Sequence, residues 1–358
     1  MTTVKMVKLG TLIKPAKLQK CGNDDYPVLS MTMHNGLVFQ SDKFKKSVAS
    51  QDKSTYKVVH RNQLVIGFPI DEGVLATQRI TDAGIVSPAY GIWDVDQTKI
   101  VPEFLEYALR CNRAIDYYKA KLRGSTARRR SLPTPTLLEL DVPLPDIEQQ
   151  RLALTTIHHA KNALDSRQAQ LTKLDELIKA RFVELFNGQG YPVLKWNDVF
   201  NTTTGKLDSN AAVENGEYPF FTCSKEILRI DKYAFEQKAL LLAGNNAAGK
   251  YDVKYYNGKF NAYQRTYVLG LKENWSYRLF QYQLEDKLEY LQQQSLGGLT
   301  KYLTLKILGS LEFIIPPKDR QDEFDTFVGR VDQQKQAVQQ SLDKLELLKN
   351  ALMHEYFG

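Results

Sequence analysis

One seven-residue segment has the spacing of a phosphate-binding loop. Residues 244–250 read Gly-Asn-Asn-Ala-Ala-Gly-Lys, which fits G-x-x-x-x-G-K after an apolar run that predicts a strand. Tyr251 stands where such a loop needs the Ser or Thr that holds Mg²⁺. The next residues alternate in polarity, and Asn257-Gly258 predicts a hairpin turn, so no helix N-terminus is expected to hold a phosphate. The preferred interpretation is a polar loop that contacts bases or phosphates of a nucleic acid.

Gln264-Arg265 is the sharpest pair of side chains for reading bases. In a major groove, Arg forms two hydrogen bonds with guanine, and Gln forms two with adenine. Gln78-Arg79 is a second Gln-Arg pair, in a comparable loop region of the first half. The alternative for both pairs is that they are surface residues held in local hydrogen bonds, and the sequence leaves both interpretations open.

Further basic and polar residues complete the set of candidate DNA contacts. Arg128-Arg129-Arg130 follows a Gly-Ser-Thr segment and predicts either a solvated charge run or a loop that contacts phosphates. The predicted DNA-binding residues are Lys43, Lys45, Lys46, Arg61, Gln78, Arg79, Arg128, Arg129, Arg130, Asn245, Asn246, Lys250, Lys259, Tyr263, Gln264, Arg265 and Lys301.

Nothing in the sequence indicates a catalytic or metal site. His158 and His159 are adjacent within a predicted helix, so their side chains point in different directions. The three cysteines, Cys21, Cys111 and Cys223, have neither the spacing of a zinc site nor that of a disulfide framework. We therefore expect a chain that is not an enzyme, with reduced cysteines, no metal and no cofactor of its own.

Five short segments recur in the same order in the two halves of the chain. The matching pairs are 26–30 with 218–222, 64–66 with 240–242, 84–90 with 258–263, 143–145 with 315–317, and 182–186 with 353–357. A long-period repeat predicts duplicated structure. We expect two similar bodies of α/β or α+β type, at residues 1–146 and 190–318.

Each body is followed by a predicted long helix, at residues 147–189 and 319–358. Each helix has an apolar column at heptad spacing, and in each the neighbouring column contains basic residues, which favours packing of the helices on each other as an antiparallel coiled coil. The alternative is that each helix packs only on its own body. A helix of this length is a rod of about 57 Å. The predicted seam residues are Ile157, Leu164, Leu171, Leu174, Ile178, Leu185, Val331, Val338, Leu342, Leu345 and Leu352.

Composition sets broad limits on the function. The chain has 358 residues, a hydrophobic content of 43% and a net charge of +7. The two predicted bodies are basic and the last helix is acidic, which favours an anionic partner such as DNA. There is no apolar run long enough for a membrane span and no signal-peptide core at the first residues, so we expect a cytoplasmic protein without membrane contact.

Three stretches resemble the specificity (S) subunits of type I restriction–modification systems. Residues 143–151, Pro-Leu-Pro-Asp-Ile-Glu-Gln-Gln-Arg, with the helix after them, resemble the central conserved region of that family. Ile315-Pro316-Pro317 with Gln321 and residues 341–358 resemble its C-terminal copy. Residues 258–267 resemble one class of target-recognition domain.

The resemblance implies a role in host defence. It implies two target-recognition domains, related by a pseudo-two-fold internal repeat, that read the two halves of a bipartite, asymmetric DNA site. It also implies that the conserved helices separate these domains and dock two methyltransferase (M) subunits, which restriction (R) subunits join. S-adenosylmethionine, ATP and Mg²⁺ would then be bound by those partners. The alternatives are a coiled-coil scaffold without DNA specificity, and a P-loop NTPase or nuclease.

Overall fold

The chain packs as two compact units that share two long helices. The computed structural model describes residues 4–33, 35–43, 53–122, 132–247 and 249–358. The first unit comprises Met1–Gln168 with Gln340–Gly358, and the second comprises Ala169–Gln339. Helix and strand are mixed in both units, as the sequence predicts.

The first unit contains a four-stranded antiparallel sheet. The strands of the whole unit are β1 (Met6–Lys8), β2 (Ile13–Pro15), β3 (Leu29–Thr32), β4 (Gly36–Phe39), β5 (Lys57–His60), β6 (Leu64–Ile66), β7 (Leu75–Thr77), β8 (Ala83–Val86), β9 (Gly91–Val95) and β10 (Asp141–Pro143). Its short helices are α1 (Gln40–Lys43), α2 (Pro102–Arg110), α3 (Asn112–Lys121) and α4 (Thr134–Leu138), and the long helix α5 (Ile147–Phe186) begins here. The sheet order is β2-β9-β6-β7, and β1–β10, β3–β4 and β5–β8 form separate pairs.

The second unit contains a six-stranded sheet. The strands of the whole unit are β11 (Val193–Lys195), β12 (Phe200–Thr204), β13 (Tyr218–Phe221), β14 (Leu228–Ile230), β15 (Phe235–Ala243), β16 (Asn245–Asn246), β17 (Val253–Ala262), β18 (Thr266–Leu271), β19 (Lys301–Tyr302) and β20 (Glu312–Ile314). Its helices are α6 (Trp196–Val199), α7 (Tyr277–Asp286), α8 (Leu288–Gln294), α9 (Leu305–Leu308) and the first part of α10 (Lys318–Phe357). The sheet order is β12-β18-β15-β17-β13-β14, and β11–β20 and β16–β19 form separate pairs.

The two units repeat one topology. The sheet orders β2-β9-β6-β7 and β12-β18-β15-β17 are equivalent. In both, the first, third, fourth and second strands of the order follow one another along the chain, and all neighbours pair antiparallel. In each unit, two helices follow the second strand of that order, a short helix comes next, and a strand pairs with the first strand of the body before the long helix starts. The duplication predicted from the five recurring segments is therefore present in the fold.

A buried glutamine joins each long helix to its body. In the first unit the Gln150 amide donates to the carbonyls of Pro145 (2.9 Å) and Lys99 (3.0 Å), and its oxygen accepts from the Val101 N–H (2.8 Å). In the second unit Gln321 donates to the Pro316 carbonyl (2.8 Å) and accepts from the Ser276 N–H (2.9 Å).

Val101 and Ser276 are the N-cap residues of α2 and α7. Both glutamines thus satisfy an N–H group that a helix start leaves without an intrahelical partner. The same bond pattern in both units shows that the repeat extends to individual buried side chains.

The long helices pack antiparallel within the second unit. Asp175 pairs with Lys335 (2.6 Å) and Arg181 pairs with Glu323 (2.5 Å), so the residue number falls along α10 as it rises along α5. Apolar side chains along and beyond the segments joined by these ion pairs form one cluster, which includes Leu174, Ile178, Leu185, Phe324, Val328, Val331 and Val338. In the first unit the start of α5 and the end of α10 join the core of the body, through Ala153, Leu154, Ile157 and Phe357. All eleven predicted seam residues are buried or half-buried.

The ends of α5 follow from local signals. The Asp146 carboxylate accepts a hydrogen bond from the Gln149 N–H (2.8 Å), which caps the first turn. Beyond Phe186, Gly188 adopts φ +71°, a conformation that glycine adopts at little cost after a helix. The helices α5 and α10 start at residues 147 and 318, within one residue of the predicted starts.

Two local predictions are wrong. Asn257-Gly258 is not a hairpin turn, because both residues lie inside β17, opposite Lys238 and Gln237 of β15. The spacing of apolar residues predicts one helix at residues 102–121 and one at 279–293, but each stretch forms two helices. The first breaks at Cys111, whose backbone is extended (φ −71°, ψ 160°), and the second breaks at Lys287.

Candidate nucleic-acid interface

Four loops of the second unit meet at Arg265, which lies just before β18. The Arg265 carbonyl accepts hydrogen bonds from the Gly244 N–H (2.8 Å) and the Cys223 thiol (3.4 Å). The neighbouring Gln264 N–H donates to the Leu207 carbonyl (2.9 Å). The Gly244 carbonyl in turn accepts from the Leu303 N–H (2.8 Å). Loops that are distant in sequence therefore present their side chains together.

Gly244 allows this close approach of backbones. A Cβ at residue 244 would lie 2.3 Å from the Arg265 carbonyl oxygen, so no larger residue fits without a backbone shift. A hydrogen bond from Tyr267 also stabilises this junction. Burial raises the pKa of its hydroxyl, which stays protonated and donates to the Leu303 carbonyl (3.0 Å).

The side chains at this junction are suited to bind DNA. Asn245 pairs with Tyr302 and Asn246 with Lys301 across the short ladder of β16 and β19. Asn245, Arg265, Thr300 and Tyr302 line one open depression. Arg265 is exposed, and its guanidinium forms no ion pair with any residue that the structure describes. A cation with five free donors beside amide and hydroxyl groups suits hydrogen bonds to base edges and phosphates.

The other predicted contacts of the second unit are placed as follows. Lys250 is exposed in the loop between β16 and β17, where its N–H donates to the Asn246 side chain (3.3 Å). Gln264 is exposed and donates to Asp208 (3.2 Å). Lys259 lies 4.7 Å over the Tyr233 ring, on β17, and Tyr263 is half-buried. The structure thus brings Asn245, Asn246, Lys250, Gln264, Arg265 and Lys301 together at one junction of loops.

No helix follows the segment 244–250, because β17 begins at Val253. Tyr251 is buried in the apolar core of the unit. The P-loop alternative is therefore wrong, although the reason differs from the predicted hairpin, since one continuous strand follows the loop. Among the described residues there is also no group of His, Cys, Asp or Glu that could hold a metal ion.

The predicted contacts of the first unit do not converge in this way. Gln78 has no exposed surface; its amide donates to the Thr81 carbonyl (2.6 Å), and its oxygen accepts from the Ile80 N–H (2.8 Å). The Gln78 side chain stabilises its own loop and is not accessible to DNA, which corrects its prediction as a base-reading residue. Arg79 pairs with Glu103 (2.6 Å) and also lies 3.7 Å from Glu106.

Arg61 is held in the same neighbourhood. It pairs with Asp82 (3.0 Å) and donates to the Arg79 carbonyl (2.7 Å). Lys45, Lys46, Arg128, Arg129 and Arg130 lie outside the described residues, and Lys43 is the last residue of α1.

Strand register shows where the first unit has its counterpart of the Arg265 junction. Arg61 and Gln78 lie beside the start of β6, whereas the Arg265 junction lies at the end of β15, where β18 begins. The corresponding end of the first sheet carries the residues after β6 and those just before β9, because Ile66 pairs with Gly91. There Phe68 is 53% exposed, and Pro88 and Ala89 are exposed. Sequence reasoning missed these residues, although the recurring segment 84–90 pointed to them.

Three comparisons with known proteins bear on this geometry. Residues 189–347 match the family model described as type I restriction modification DNA specificity domain. A stretch of 170 residues, 46% of the chain, is 31% identical to the type I restriction enzyme EcoDI specificity subunit of Escherichia coli. That stretch covers 37% of the length of this relative, so the match spans little more than a third of it.

The fold is similar to solved structures over nearly the whole chain. The type I restriction–modification S subunit from M. genitalium matches with a TM-score of 0.62 and 15% identity, over 100% of this chain and 97% of that one. A chain from a structure described as the basis of complex assembly and conformational transition of the type I R-M system matches with a TM-score of 0.59 and 15% identity, over 99% and 97%. At this identity the likeness concerns the fold alone. The family match and the E. coli relative each cover less than half of the chain, and over those stretches the sequence is similar to type I restriction–modification specificity subunits.

Proposed function

We propose that the chain is the DNA-specificity subunit of a type I restriction–modification complex. Each unit reads one half of a bipartite DNA site, and the chain itself performs no catalysis. The observation that carries the proposal is the convergence of exposed Arg265 with half-buried Asn245 and Lys301 within the stretch that matches the DNA specificity domain. Because the loops at the corresponding ends of the two sheets differ in sequence, the two half-sites differ and the whole site is asymmetric.

Exposed apolar side chains on the long helices support partner docking. Leu152, Leu177 and Val183 of α5 and Leu347 and Leu348 of α10 are all exposed. Solvated leucines on helices that already have a buried seam are suited to pack against another protein. Two methyltransferase subunits dock there in the proposed complex, and restriction subunits join them.

The cofactors belong to those partners in this proposal. S-adenosylmethionine serves adenine methylation, and ATP with Mg²⁺ serves the restriction subunits. The complex acts in the cytoplasm, where its DNA substrate lies. None of the helices that the structure describes is long and apolar enough to cross a membrane.

A coiled-coil scaffold without DNA specificity remains the second candidate, since the same exposed leucines would serve it. Binding to random duplex DNA under increasing salt separates the two. A DNA-binding chain loses affinity steeply with salt as counterions return to the phosphates. In an electrophoretic mobility shift assay, a scaffold without DNA binding gives no shifted DNA band at any salt concentration.

Methylome sequencing tests the proposal directly. A host that expresses the chain with its methyltransferase subunit should show one bipartite methylated motif. Arg265→Ala should relax one position of one half-site, because a base-reading Arg contributes about 1–3 kcal/mol of discrimination. Lys250→Ala should weaken methylation of all sites alike, because phosphate contacts carry no sequence information.

Lys195→Ala is a matched control, since Lys195 is exposed on β11 and belongs to none of the four loops. It should leave both the motif and the extent of methylation unchanged. An unchanged motif for Arg265→Ala, or an unchanged extent of methylation for Lys250→Ala, would count against the assignment of this interface, and the absence of any motif would refute the function.

A further inference from the structure

A narrow loop with a leucine at its tip projects from the interface of the second unit. Leu296 and Tyr302 exchange two backbone hydrogen bonds (3.1 and 2.9 Å), which close a loop of five residues. Gly297 adopts φ +100° there, and a Cβ at this position would lie 2.2 Å from the Thr300 carbonyl oxygen. The turn is therefore possible only with glycine. Leu299 stands at the tip with 96% of its surface exposed.

The base of this loop is fixed to the candidate DNA contacts. Tyr302 pairs with Asn245 and Lys301 pairs with Asn246. Ser295, just before the loop, donates to the Gln292 carbonyl at the end of α8 (2.7 Å). A rigid base below two glycines gives a slender projection whose position is set by the interface itself.

The surroundings of Leu299 show what it is suited to contact. Single exposed leucines are ordinary on protein surfaces, so exposure alone indicates nothing. This one belongs to a loop held among cations and hydrogen-bonding groups, which include Lys301 in the β16–β19 ladder and Arg265 in the depression described above. A surface of that kind attracts DNA, and an apolar tip within it would meet base pairs and not another apolar protein surface.

We propose that Leu299 is a wedge that inserts between two adjacent base pairs of the half-site read by the second unit. Proteins that insert a leucine in this way unstack one base step and kink the duplex there. The unstacked step contributes to specificity through its ease of deformation, without a hydrogen bond to either base. This inference rests on the proposed function, because it requires that the second unit binds a half-site.

The experiment uses duplexes in which 2-aminopurine replaces one base at a time across the methylated motif. The fluorescence of 2-aminopurine rises when the base loses its stacking neighbours. The full chain in complex with its methyltransferase subunits should raise the fluorescence at one step of the second half-site. Leu299→Ala should abolish that rise and weaken binding by about tenfold, the scale expected for one leucine that no longer becomes buried.

Two controls separate the wedge from other effects. A methyltransferase extrudes its target base, so a rise at the methylated adenine should persist in Leu299→Ala. Leu305→Ala removes another exposed leucine of the same unit, on α9, and should change neither fluorescence nor affinity.

Three results would overturn the proposal. The first is specific binding by the parent chain with no brightening outside the methylated adenine. The second is an undiminished rise with Leu299→Ala. The third is loss of affinity on replacing one thymine by uracil without any unstacking, which would make Leu299 a contact to a thymine methyl group. If the parent complex shows no sequence preference at all, the proposed function fails, and the wedge fails with it.

Discussion

The buried Gln150 offers the sharpest test of how the long helices are fixed to the bodies. Gln150→Leu keeps a side chain of similar length but removes three hydrogen bonds, to Val101, Lys99 and Pro145. A buried polar group left without a partner costs about 1–3 kcal/mol. Since leucine returns some apolar burial, we expect a net loss of roughly 2–4 kcal/mol in the local stability of the start of α2.

Gln321→Leu is the matched change in the second unit. It removes two such bonds, so the expected loss is smaller, about 1–3 kcal/mol, and it concerns the start of α7. Gln149→Leu serves as control, because Gln149 is exposed one position away on the same helix. A surface change of that kind stays within about 0.5 kcal/mol of the parent.

Hydrogen exchange of the full chain reads out each site separately. Peptides that cover the start of α2 should exchange roughly 30-fold to 1000-fold faster in Gln150→Leu if exchange follows local opening. The start of α7 should respond only to Gln321→Leu. A global denaturation midpoint would mix the two units, whereas exchange assigns the loss to the helix whose first N–H has lost its acceptor.

Gln150→Glu adds a dependence on pH. The new carboxylate still accepts from Val101, but when ionised it has no proton to donate to the two carbonyls. Burial beside those carbonyls should raise the carboxyl pKa in the folded chain above its value in the unfolded chain. Its stabilising contribution is then fully present below about pH 4 and is lost as the pH rises through the folded pKa. Unchanged exchange at α2 in Gln150→Leu, or a parental pH profile for Gln150→Glu, would refute this account.

Three further predictions concern the long helices and the Glu285 carboxylate. Leu171→Asp and Leu342→Asp each place a charge in a buried or half-buried seam position, so the complex with methyltransferase subunits should be lost; an unchanged mass in light scattering would contradict this. Partial desolvation raises the pKa of the Glu285 carboxyl, so its contribution to stability is present at low pH and is lost as the pH rises. Glu285→Gln should therefore gain stability over the parent between about pH 4 and pH 7 in urea denaturation, and an equal difference at both values would count against it. Two half-sites spaced about one helical turn apart leave an unread gap of roughly 5–8 bp between them. Duplicating residues 171–177 adds one heptad to α5 and should lengthen that gap. A methylome with an altered half-site would refute the idea that the long helices set the spacing.

The long helices were the part of the fold most open to prediction. The heptad column of α5 runs without Gly or Pro from Gln149 to Phe186, and Asp146 gives a capping signal at the start, so local propensity and tertiary packing agree. The hairpin at Asn257-Gly258 failed because pairing with β15 outweighs the turn preference of two residues. Positive φ at Gly258 (141°) is absorbed inside the strand and does not reverse the chain.

The candidate site was predictable only in part. Arg265 and Asn245 stand out by residue type beside apolar strands, and the fold brings them together. Gln78-Arg79 has the same residue types, yet Gln78 is buried in its own loop and Arg79 pairs with Glu103. One sequence does not show which end of a sheet a loop occupies, because that depends on the register of strands far apart in the chain. Leu299 carried no signal at all, since its exposure depends on a loop closed by residues 296 and 302.

Under the proposed function, the separation of scaffold and loops lets the DNA target change without a change of the fold. The two units share the strand order, the pairs β1–β10 and β11–β20, and the bonds of a buried glutamine to α2 and α7. They differ at the ends of β6 and of β15, where one unit carries exposed Phe68 and Ala89 and the other carries half-buried Asn245 and exposed Arg265. Substitutions in those loops leave every shared bond intact, so a new base preference need not cost stability. A change at Gln150 or Gln321 has the opposite effect, since it loosens the attachment of a long helix and leaves the recognition side chains as they were.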